Sequence, residues 1–340
     1  MSVDLGPYLS DVPDSVVTRL ATARHVLAVS HENPDADTIG AALGIVDLVE
    51  SHGGTGDPVC TDPIPSLYRF MTGFDRFRGD PDPAATYDLL VILDCGSLER
   101  VGDVGARHAE LFGRLPTVII DHHASTVATT EADWIDPAAA ATCEMVALLA
   151  GRLDVDLAIG GGRLAANLMA GIVMDTASFA HPNATPRTLT VSAALVEAGA
   201  PLSDISRRLY RSKPVAQLRL FGRVLARLET ADDARIAWSS LMDADIAETG
   251  AERAHSEGII DLLSQAEHAE VVIMFKEAGP KTTRISVRTL PGGVDATVLT
   301  GRFGGGGHAR AAGATLEAPL AEARPAVLAE ATRLVAKVNR

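Results

Sequence analysis

Three clusters of acids and histidines in this chain have the residue types and spacing to bind divalent cations. His31, Asp35 and Asp37 lie within the segment HENPDAD, Asp94 follows the apolar run LLVIL, and the triplet Asp-His-His at 121–123 follows TVII. Imidazole and carboxylate donors suit hard to borderline ions such as Mn²⁺. The absence of paired thiolates in the sequence argues against a structural zinc site. The chemistry these clusters indicate is therefore metal-assisted.

Each cluster, taken alone, also has an ordinary structural interpretation. HENPDAD could form a turn whose acids cap the next helix, and Asp94 by itself is more typical of a strand end. Their co-occurrence favours a metal site, because two adjacent histidines and an acid at the end of a buried strand need polar partners. GIVMD adds a further carboxylate, Asp175.

Together these segments offer enough donors for two divalent ions, with coordination positions left for water and substrate. Four carboxylates crowded into one crevice repel strongly unless cations lie among them. The candidate ligands are His31, Asp35, Asp37, Asp94, His122 and Asp175.

The runs that precede the clusters are typical of buried parallel strands. We predict strands at about 25–30, around Val59, at 88–94 and at 117–121, and a helix in TIGAALGIVDLVESHGG. This alternation indicates an α/β fold with a doubly wound, mostly parallel sheet. Ligands of such sheets bind at the carboxyl ends of the strands, so all three clusters are expected in one crevice.

The remaining patterns divide the chain into three parts. Helices are predicted at 138–152 and 162–175, which completes a site-bearing domain over 1–185. A charged, amphipathic segment over 186–230 lacks Gly and Ser runs and is predicted to be a helical connector. A smaller α/β domain over 231–340 would contain a β-hairpin formed by VVIMFKEAG and TRISVRTL and a last helix from about Leu320.

Composition excludes several classes of protein. The chain has 340 residues, a formal net charge of −14 and an isoelectric point near 5.1, which argues against a broad basic face for long nucleic acid. A short phosphate-bearing ligand remains compatible. Three cysteines are too few, and odd in number, for a disulfide framework. Neither a secretory signal nor a membrane span is recognisable, so we expect a cytoplasmic protein that binds no membrane.

The order of these motifs resembles the DHH phosphoesterases, a family named for the triplet seen here at 121–123. HENPDAD, LDCG, DHH and GIVMDT occur in that order, and RFGGGGHARAAGA resembles the signature of the accessory DHHA1 domain. Within the family the chain is most similar to the two-domain nanoRNases, also described as bifunctional oligoribonucleases and phosphatases of 3′-phosphoadenosine 5′-phosphate (pAp). Similar actinobacterial proteins also act on cyclic di-AMP or its linear product pApA.

The resemblance implies a role for each candidate residue and a homodimeric assembly. One Mn²⁺ would be held by His31 and Asp35, the other by Asp37, His122 and Asp175, with Asp94 bridging them. His123 would face the phosphate or the leaving group, and Asp121 is expected to orient a histidine from behind. Mg²⁺ or Co²⁺ would accept similar donors.

The second domain is expected to hold the substrate. The resemblance implies that Gly305, Gly306, Gly307 and His308 bring backbone amides and an imidazole against a substrate phosphate, where glycines allow a close approach. A flexible linker is the alternative. Arg284, Ser286 and Arg288 alternate along the preceding strand and so share one face, as candidates for a terminal phosphate or base, or as ordinary exposed strand charges.

Several other functions are compatible with a chain of this kind. A family II pyrophosphatase would end in a basic SRKKQ-type motif where this chain has GGGGH, and a long-strand exonuclease of the RecJ type would need a further nucleic-acid-binding domain. A dedicated cyclic-dinucleotide phosphodiesterase and a catalytically silent cyclic-dinucleotide receptor also remain open. Motifs alone do not rank short oligoribonucleotides, pAp, pApA and cyclic di-AMP as substrates.

Overall fold

The computed structural model of the protein describes residues 3–95, 98–290 and 292–338. The chain forms two compact units, Met1–Ser212 and Lys213–Arg340. The segment 186–230, predicted as a separate connector, is thus divided between the units, because its first two helices pack in the first unit and its third in the second.

The first unit alternates strands and helices over most of its length. Its elements are α1 (Asp14–Thr22), β1 (His25–Ser30), α2 (Ala36–Ser51), β2 (Thr55–Val59), β3 (Leu89–Leu93), α3 (Asp103–Arg107), α4 (Ala109–Arg114), β4 (Thr117–Asp121), β5 (Trp134–Ile135), α5 (Thr142–Arg152), α6 (Ile159–Asp175), α7 (Pro186–Glu197) and α8 (Leu202–Tyr210).

Its strands form one parallel sheet in the order β2-β1-β3-β4-β5. Every residue of β3 is buried, as expected for a central strand covered on both faces. The larger apolar core lies on the face packed by α2, α5 and α6, and a second cluster with Val104 and Phe112 covers the other face. The predicted α/β fold with its parallel sheet is confirmed.

The predicted helix start at residue 138 is wrong by four residues. Alanine-rich sequence favours helix, but Ala141 is extended and α5 begins at Thr142. In α6 the regular helix begins after Gly162, since Gly160, Gly161 and Gly162 all have positive φ. That conformation is open to glycine without strain.

The second unit carries a mixed sheet. Its elements are α9 (Val215–Leu225), β6 (Glu229–Ala231), β7 (Ile236–Leu241), α10 (Asp243–Thr249), α11 (Ile259–Leu263), β8 (Val271–Glu277), β9 (Thr283–Thr289), α12 (Ala296–Gly301), β10 (Gly306–His308), β11 (Ala311–Leu316) and α13 (Leu320–Val338).

The sheet of this unit has the order β10-β11-β9-β8-β7-β6. The predicted hairpin is present as the antiparallel pair β8 and β9, and the last helix begins at Leu320 as predicted. One face of β8 packs on α12 and α13, and its alternate residues pack on α9 and α11. Across all of these described helices, none combines the length and the apolar character needed to cross a membrane.

Candidate metal centre

Three neighbouring strands deliver the clusters predicted from the sequence to one edge of the parallel sheet. His31 follows β1, Asp94 follows β3 and Asp121 ends β4. Since β1, β3 and β4 are adjacent and parallel, their carboxyl ends meet at the same edge. This is the edge at which open α/β sheets bind their ligands.

Two helix ends supply the remaining carboxylates. Asp35 is the N-cap of α2, and its side chain accepts hydrogen bonds from the amides of Asp37 (2.9 Å) and Thr38 (3.2 Å). Asp37 lies in the first turn of the same helix and is completely buried. Asp175 is the last residue of α6.

His122 is in contact with three carboxylates. Its Nε2 atom lies 3.1 Å from Oδ2 of Asp175, 3.4 Å from Oδ1 of Asp94 and 4.0 Å from Oδ2 of Asp37. The donor atoms of Asp37, His122 and Asp175 lie within 4.8 Å of one another, a spacing at which they could hold a metal ion.

His31 and His123 gather around the other side of Asp94. Nε2 of His31 lies 3.5 Å from Oδ2 of Asp94 and 3.9 Å from Oδ1 of Asp35, and these three residues form a second possible metal-binding group. Nδ1 of His123 lies 3.5 Å from Oδ1 of Asp94, in a third group that includes His122. One oxygen of Asp94 therefore lies near His31 and the other near His122 and His123, which is the arrangement that a bridging ligand needs.

Burial is the largest single influence on the pKa values of this cluster. It raises the pKa of Asp35 to about 6, with added repulsion from Asp94, and it raises the pKa of Asp37 well above its ordinary value. Burial also opposes a charge on His122, but hydrogen bonds to Asp175 and Asp94 outweigh it and raise the pKa of that histidine to about 12. Protons thus supply the positive charge that four crowded carboxylates require when no cation is bound.

The carboxylate of Asp94 shifts in the opposite direction. Burial would raise its pKa, but hydrogen bonds from His122 and His31 hold that pKa below its usual range. The residue also has a positive φ of 56°, a conformation in which Asp is tolerated better than most side chains. Its ionised carboxylate and unusual backbone both fit a functional position.

Asp121 holds His123 in place through two hydrogen bonds. Oδ1 of Asp121 accepts hydrogen bonds from Nδ1 of His123 (2.7 Å) and from the His123 amide (3.1 Å). Its other oxygen accepts a hydrogen bond from the hydroxyl of Thr126. Asp121 is fully buried, so the imidazole of His123 is anchored through Nδ1 and its Nε2 is left for other partners.

Sequence reasoning missed the residues that hold Asp37. Its Oδ2 accepts a hydrogen bond from the amide of Thr142 (2.7 Å) and its Oδ1 one from the amide of Cys143 (2.9 Å). The Thr142 hydroxyl also donates to Oδ1 of Asp94 at 3.2 Å. These donors belong to the first turn of α5, where unpaired amides and the helix dipole favour a carboxylate. The only local sequence signal for this helix start is the stretch of small residues before CEMVALL.

The close approach of Gly171 to Asp37 is a second feature of the site that was not predicted from the sequence. A Cβ atom at this position would stand 2.5 Å from Oδ1 of Asp37 and would collide with Sγ of Cys143. Helix α6 can therefore approach the buried carboxylate only because this residue has no side chain.

Some of the predicted substrate-binding residues of the second unit line a cavity of about 900 Å³. Arg284, Ser286, Gly305 and Gly306 are among its lining residues. Three that we had not predicted, Arg253, Ser256 and Lys276, also line it.

The other predicted residues of this unit lie elsewhere. Arg288, Gly307 and His308 are not among the described residues that line this cavity. The guanidinium of Arg288 pairs with Asp261 at 3.3 Å, and His308 is exposed at the end of β10. Gly307 has a positive φ and lies so close to β11 that a Cβ would stand 2.6 Å from the carbonyl oxygen of Ala311. Gly306 and Gly307 belong to β10, and Gly305 and Gly307 lie close against β11, so the glycine run does not form a flexible linker.

Comparison with known proteins agrees with this geometry. A model of the DHH family, N-terminal domain, matches residues 25–172, and a model of the DHHA1 domain matches residues 235–337. The bifunctional oligoribonuclease and PAP phosphatase NrnA of Thermus thermophilus is 32% identical over 292 residues, which are 86% of this chain and 84% of that protein. The chain belongs to the DHH family. As a DHH phosphoesterase with a DHHA1 domain, it is a hydrolase that acts on phosphoester bonds.

Two further relatives of this DHH protein are informative. The cyclic-di-AMP phosphodiesterase GdpP of Geobacillus thermodenitrificans is 27% identical over 316 residues, which cover 87% of this chain and 45% of that protein. The crystal structure of an exopolyphosphatase-related protein from Bacteroides fragilis covers 97% of this chain and 98% of its own, with a TM-score of 0.83 and 21% identity. At that identity the second likeness supports the fold alone.

Proposed function

We propose that this protein is a Mn²⁺-dependent phosphoesterase that hydrolyses short oligoribonucleotides to mononucleotides and pAp to AMP, with pApA and cyclic di-AMP as further substrates. The observation that carries the proposal is the convergence of the six candidate ligands and His123 into three overlapping groups that could each hold a metal ion, two of which share Asp94. A catalytically silent receptor would have no need for such a complete set.

The donor set fits two divalent ions. His31 and Asp35 would hold one ion, and Asp37, His122 and Asp175 the other, with Asp94 shared between them. The donors are imidazoles and carboxylates, which suit Mn²⁺ and also Mg²⁺ or Co²⁺. When bound, the two ions would supply Lewis acidity to an attacking water and to the phosphoryl oxygens.

The chain's own residues orient the groups of the site and keep bulk water away from its buried carboxylates. Asp121 fixes the ring of His123 through Nδ1 and raises the pKa of that histidine, so the protonated imidazole would donate from Nε2 to a phosphate oxygen or to the leaving group. The amides at the start of α5 keep the carboxylate of Asp37 in one orientation. Asp94 and Asp37 are almost fully buried, so bulk water does not compete for these carboxylates.

The proposed substrates rest on the relatives and on charge. One relative is named for oligoribonucleotides and PAP, and another for cyclic di-AMP. A net charge of −14 disfavours long nucleic acid, because each added phosphate brings further repulsion, so ligands of two to four nucleotides fit this chain better. Arg284, Ser286 and the glycine run with Gly305 and Gly306 would hold a substrate phosphate in the second unit.

A panel assay tests the proposal directly. Purified protein is incubated with a short oligoribonucleotide, pAp, pApA and cyclic di-AMP, each with Mn²⁺ and each with a chelator, and the products are separated. We expect Mn²⁺-dependent release of mononucleotides from the oligoribonucleotide and of AMP from pAp. Turnover of cyclic di-AMP alone would identify a dedicated cyclic-dinucleotide phosphodiesterase, and binding without turnover of any member would identify a receptor.

A further inference from the structure

Arg187 is bound by three carboxylates that come from distant parts of the first unit. Its Nε atom donates to Oε1 of Glu144 at 2.6 Å, its Nη2 atom to Oδ2 of Asp136 at 2.7 Å and its Nη1 atom to Oδ2 of Asp11 at 2.8 Å. All three nitrogens of the guanidinium are therefore engaged, and the side chain is only 12% exposed. Three directed contacts of this kind need the planar fork of arginine, which the point charge of a lysine does not offer.

Arg187 lies where the helix itself disfavours a cation. It is the second residue of α7, and the dipole of a helix favours acids rather than bases in the first turn. The three ion pairs must outweigh that local preference. The reason for this arginine therefore lies in the segments to which it binds.

Glu144 depends on Arg187 because its carboxylate is completely buried. One oxygen, Oε2, accepts a hydrogen bond from the amide of Ala140 at 3.2 Å, and the other binds Arg187. Within the described part of the chain, Arg187 is the one cation that pairs with this carboxylate. An ionised carboxylate that is buried without a cation is strongly unfavourable, so removal of the guanidinium would force Glu144 to move or to bind a proton.

Any movement of Glu144 reaches the metal centre through the first turn of α5. Glu144 lies two residues after Thr142 in this turn. The amide of Thr142 holds the carboxylate of Asp37, and its hydroxyl donates to Asp94. Arg187 is thus linked to two candidate ligands through a single helical turn.

Asp136 provides a second connection to the site. Its backbone amide donates to the carbonyl oxygen of Asp121 at 3.0 Å, at the end of β4. Asp121 in turn anchors the imidazole of His123. Arg187 therefore joins the start of α5 to the end of β4, and these two segments orient Asp37 and His123.

We propose that Arg187 is a positioning residue of the metal centre, which keeps the first turn of α5 and the end of β4 in the arrangement that metal binding needs. It acts through Glu144 and Asp136. This inference rests on the function proposed above, because it assumes that the centre binds divalent cations. Without the guanidinium, the affinity for Mn²⁺ should fall together with the stability of the fold.

Calorimetric titration of the full-length, metal-free protein with Mn²⁺ measures this effect without turnover. Arg187→Met removes the guanidinium and keeps an unbranched stem. We expect the Kd for Mn²⁺ to rise about 10- to 100-fold, as is typical when residues that orient metal ligands are replaced. Arg187→Lys keeps the charge but not the fork, and should recover only part of the affinity.

Arg163→Met is the matched control. Arg163 pairs with the buried carboxylate of Asp47 at 2.6 Å, and this pair joins α2 and α6, the helices that also carry Asp37 and Asp175. The pair lies toward the opposite ends of both helices, so its loss should lower the urea midpoint of unfolding and leave the Kd for Mn²⁺ unchanged. If Arg187→Met also lowers the midpoint and leaves that Kd unchanged, the positioning role is overturned.

Glu144→Gln is the second variant, for the case in which Arg187→Met does not fold. Glutamine retains an oxygen for the Ala140 amide and leaves no buried charge. If Arg187 acts through Glu144, Glu144→Gln should raise the Kd for Mn²⁺, and Arg187→Met should raise it less in that background than alone. No rise in Glu144→Gln, or fully additive effects, would overturn this route. Absence of Mn²⁺ binding by the unaltered protein would instead reject the proposed function.

Discussion

The backbone amide of Thr142 donates a hydrogen bond of 2.7 Å to the carboxylate of Asp37, while the hydroxyl of the same residue donates to Asp94 at 3.2 Å. Thr142, at the start of α5, thus orients one carboxylate in the first turn of α2 and another that follows β3. Thr142 is fully buried, so these contacts are shielded from water.

Replacing Thr142 by Val should weaken metal binding while preserving the fold. Val keeps the volume and the amide that holds Asp37 but removes the donor to Asp94. Because residues that orient ligands typically change affinity by 10- to 100-fold, we expect a rise of about that size in the Mn²⁺ concentration for half-maximal activity. Thr142→Ser restores the hydroxyl and should restore the affinity. A Val variant with unaltered Mn²⁺ dependence would argue against this positioning role.

Asp94→Asn should reduce turnover at saturating Mn²⁺ by about a hundredfold or more, because this carboxylate belongs to two of the groups that could hold a metal ion. Asn is the suitable replacement, since it tolerates the positive φ of 56° that would strain Ala. Asp103→Asn, at an exposed acid, is the control. Circular dichroism and assay of bis-p-nitrophenyl phosphate give fold and activity separately, and full activity of the Asp94 variant would refute the bridging assignment.

The metal-free protein should lose stability as the pH rises through neutrality. Folding raises the pKa of Asp35 from 3.8 to about 6 and that of His122 from 6.5 to about 12. Both groups hold protons more tightly when folded, so their stabilisation is complete below the unfolded pKa and is lost as the pH rises toward the folded one. Between pH 6.5 and 9 the pH dependence of stability comes mainly from His122. We expect the free energy of unfolding to fall there by on the order of 1 kcal/mol per pH unit.

Urea unfolding at several pH values, with a chelator and with excess Mn²⁺, measures this effect. Bound cations replace the protons, so Mn²⁺ should raise the stability and flatten its pH dependence. Groups outside the site titrate equally in both series, and the difference between the slopes therefore isolates the metal centre. Parallel slopes in the two series would contradict the assignment.

Gly171→Ala should damage both stability and activity. The added methyl would stand 2.5 Å from Oδ1 of Asp37, and crowding of this kind in a packed interior costs about 1–3 kcal/mol. Gly222→Ala in α9 is the matched control, because no heavy atom lies within 4 Å of its Cβ position and Ala is the better helix former. Equal unfolding free energies for the two variants would contradict the close contact between α6 and Asp37.

Local sequence was sufficient to predict the sheet and the edge at which the candidate ligands gather. The run LLVIL was predicted as a strand over 88–94 and forms β3 over Leu89–Leu93, because a fully buried strand needs an uninterrupted apolar run. Ligands that follow such runs must meet at one edge when the strands are parallel. His31, Asp94 and His122 therefore come together as predicted from residues widely separated in the chain.

Only the tertiary structure decided which groups support the candidate ligands and which residues line the cavity of the second unit. Thr142 and Asp37 are 105 residues apart, and a backbone amide carries no residue-specific signal, so no local pattern could pair them. Lys276 and Arg284 become partners through strand register, and a shift of one residue would turn Lys276 to the opposite face. The sequence determined what chemistry the chain carries, whereas packing and register decided how each charged group is held, because those depend on contacts between distant segments.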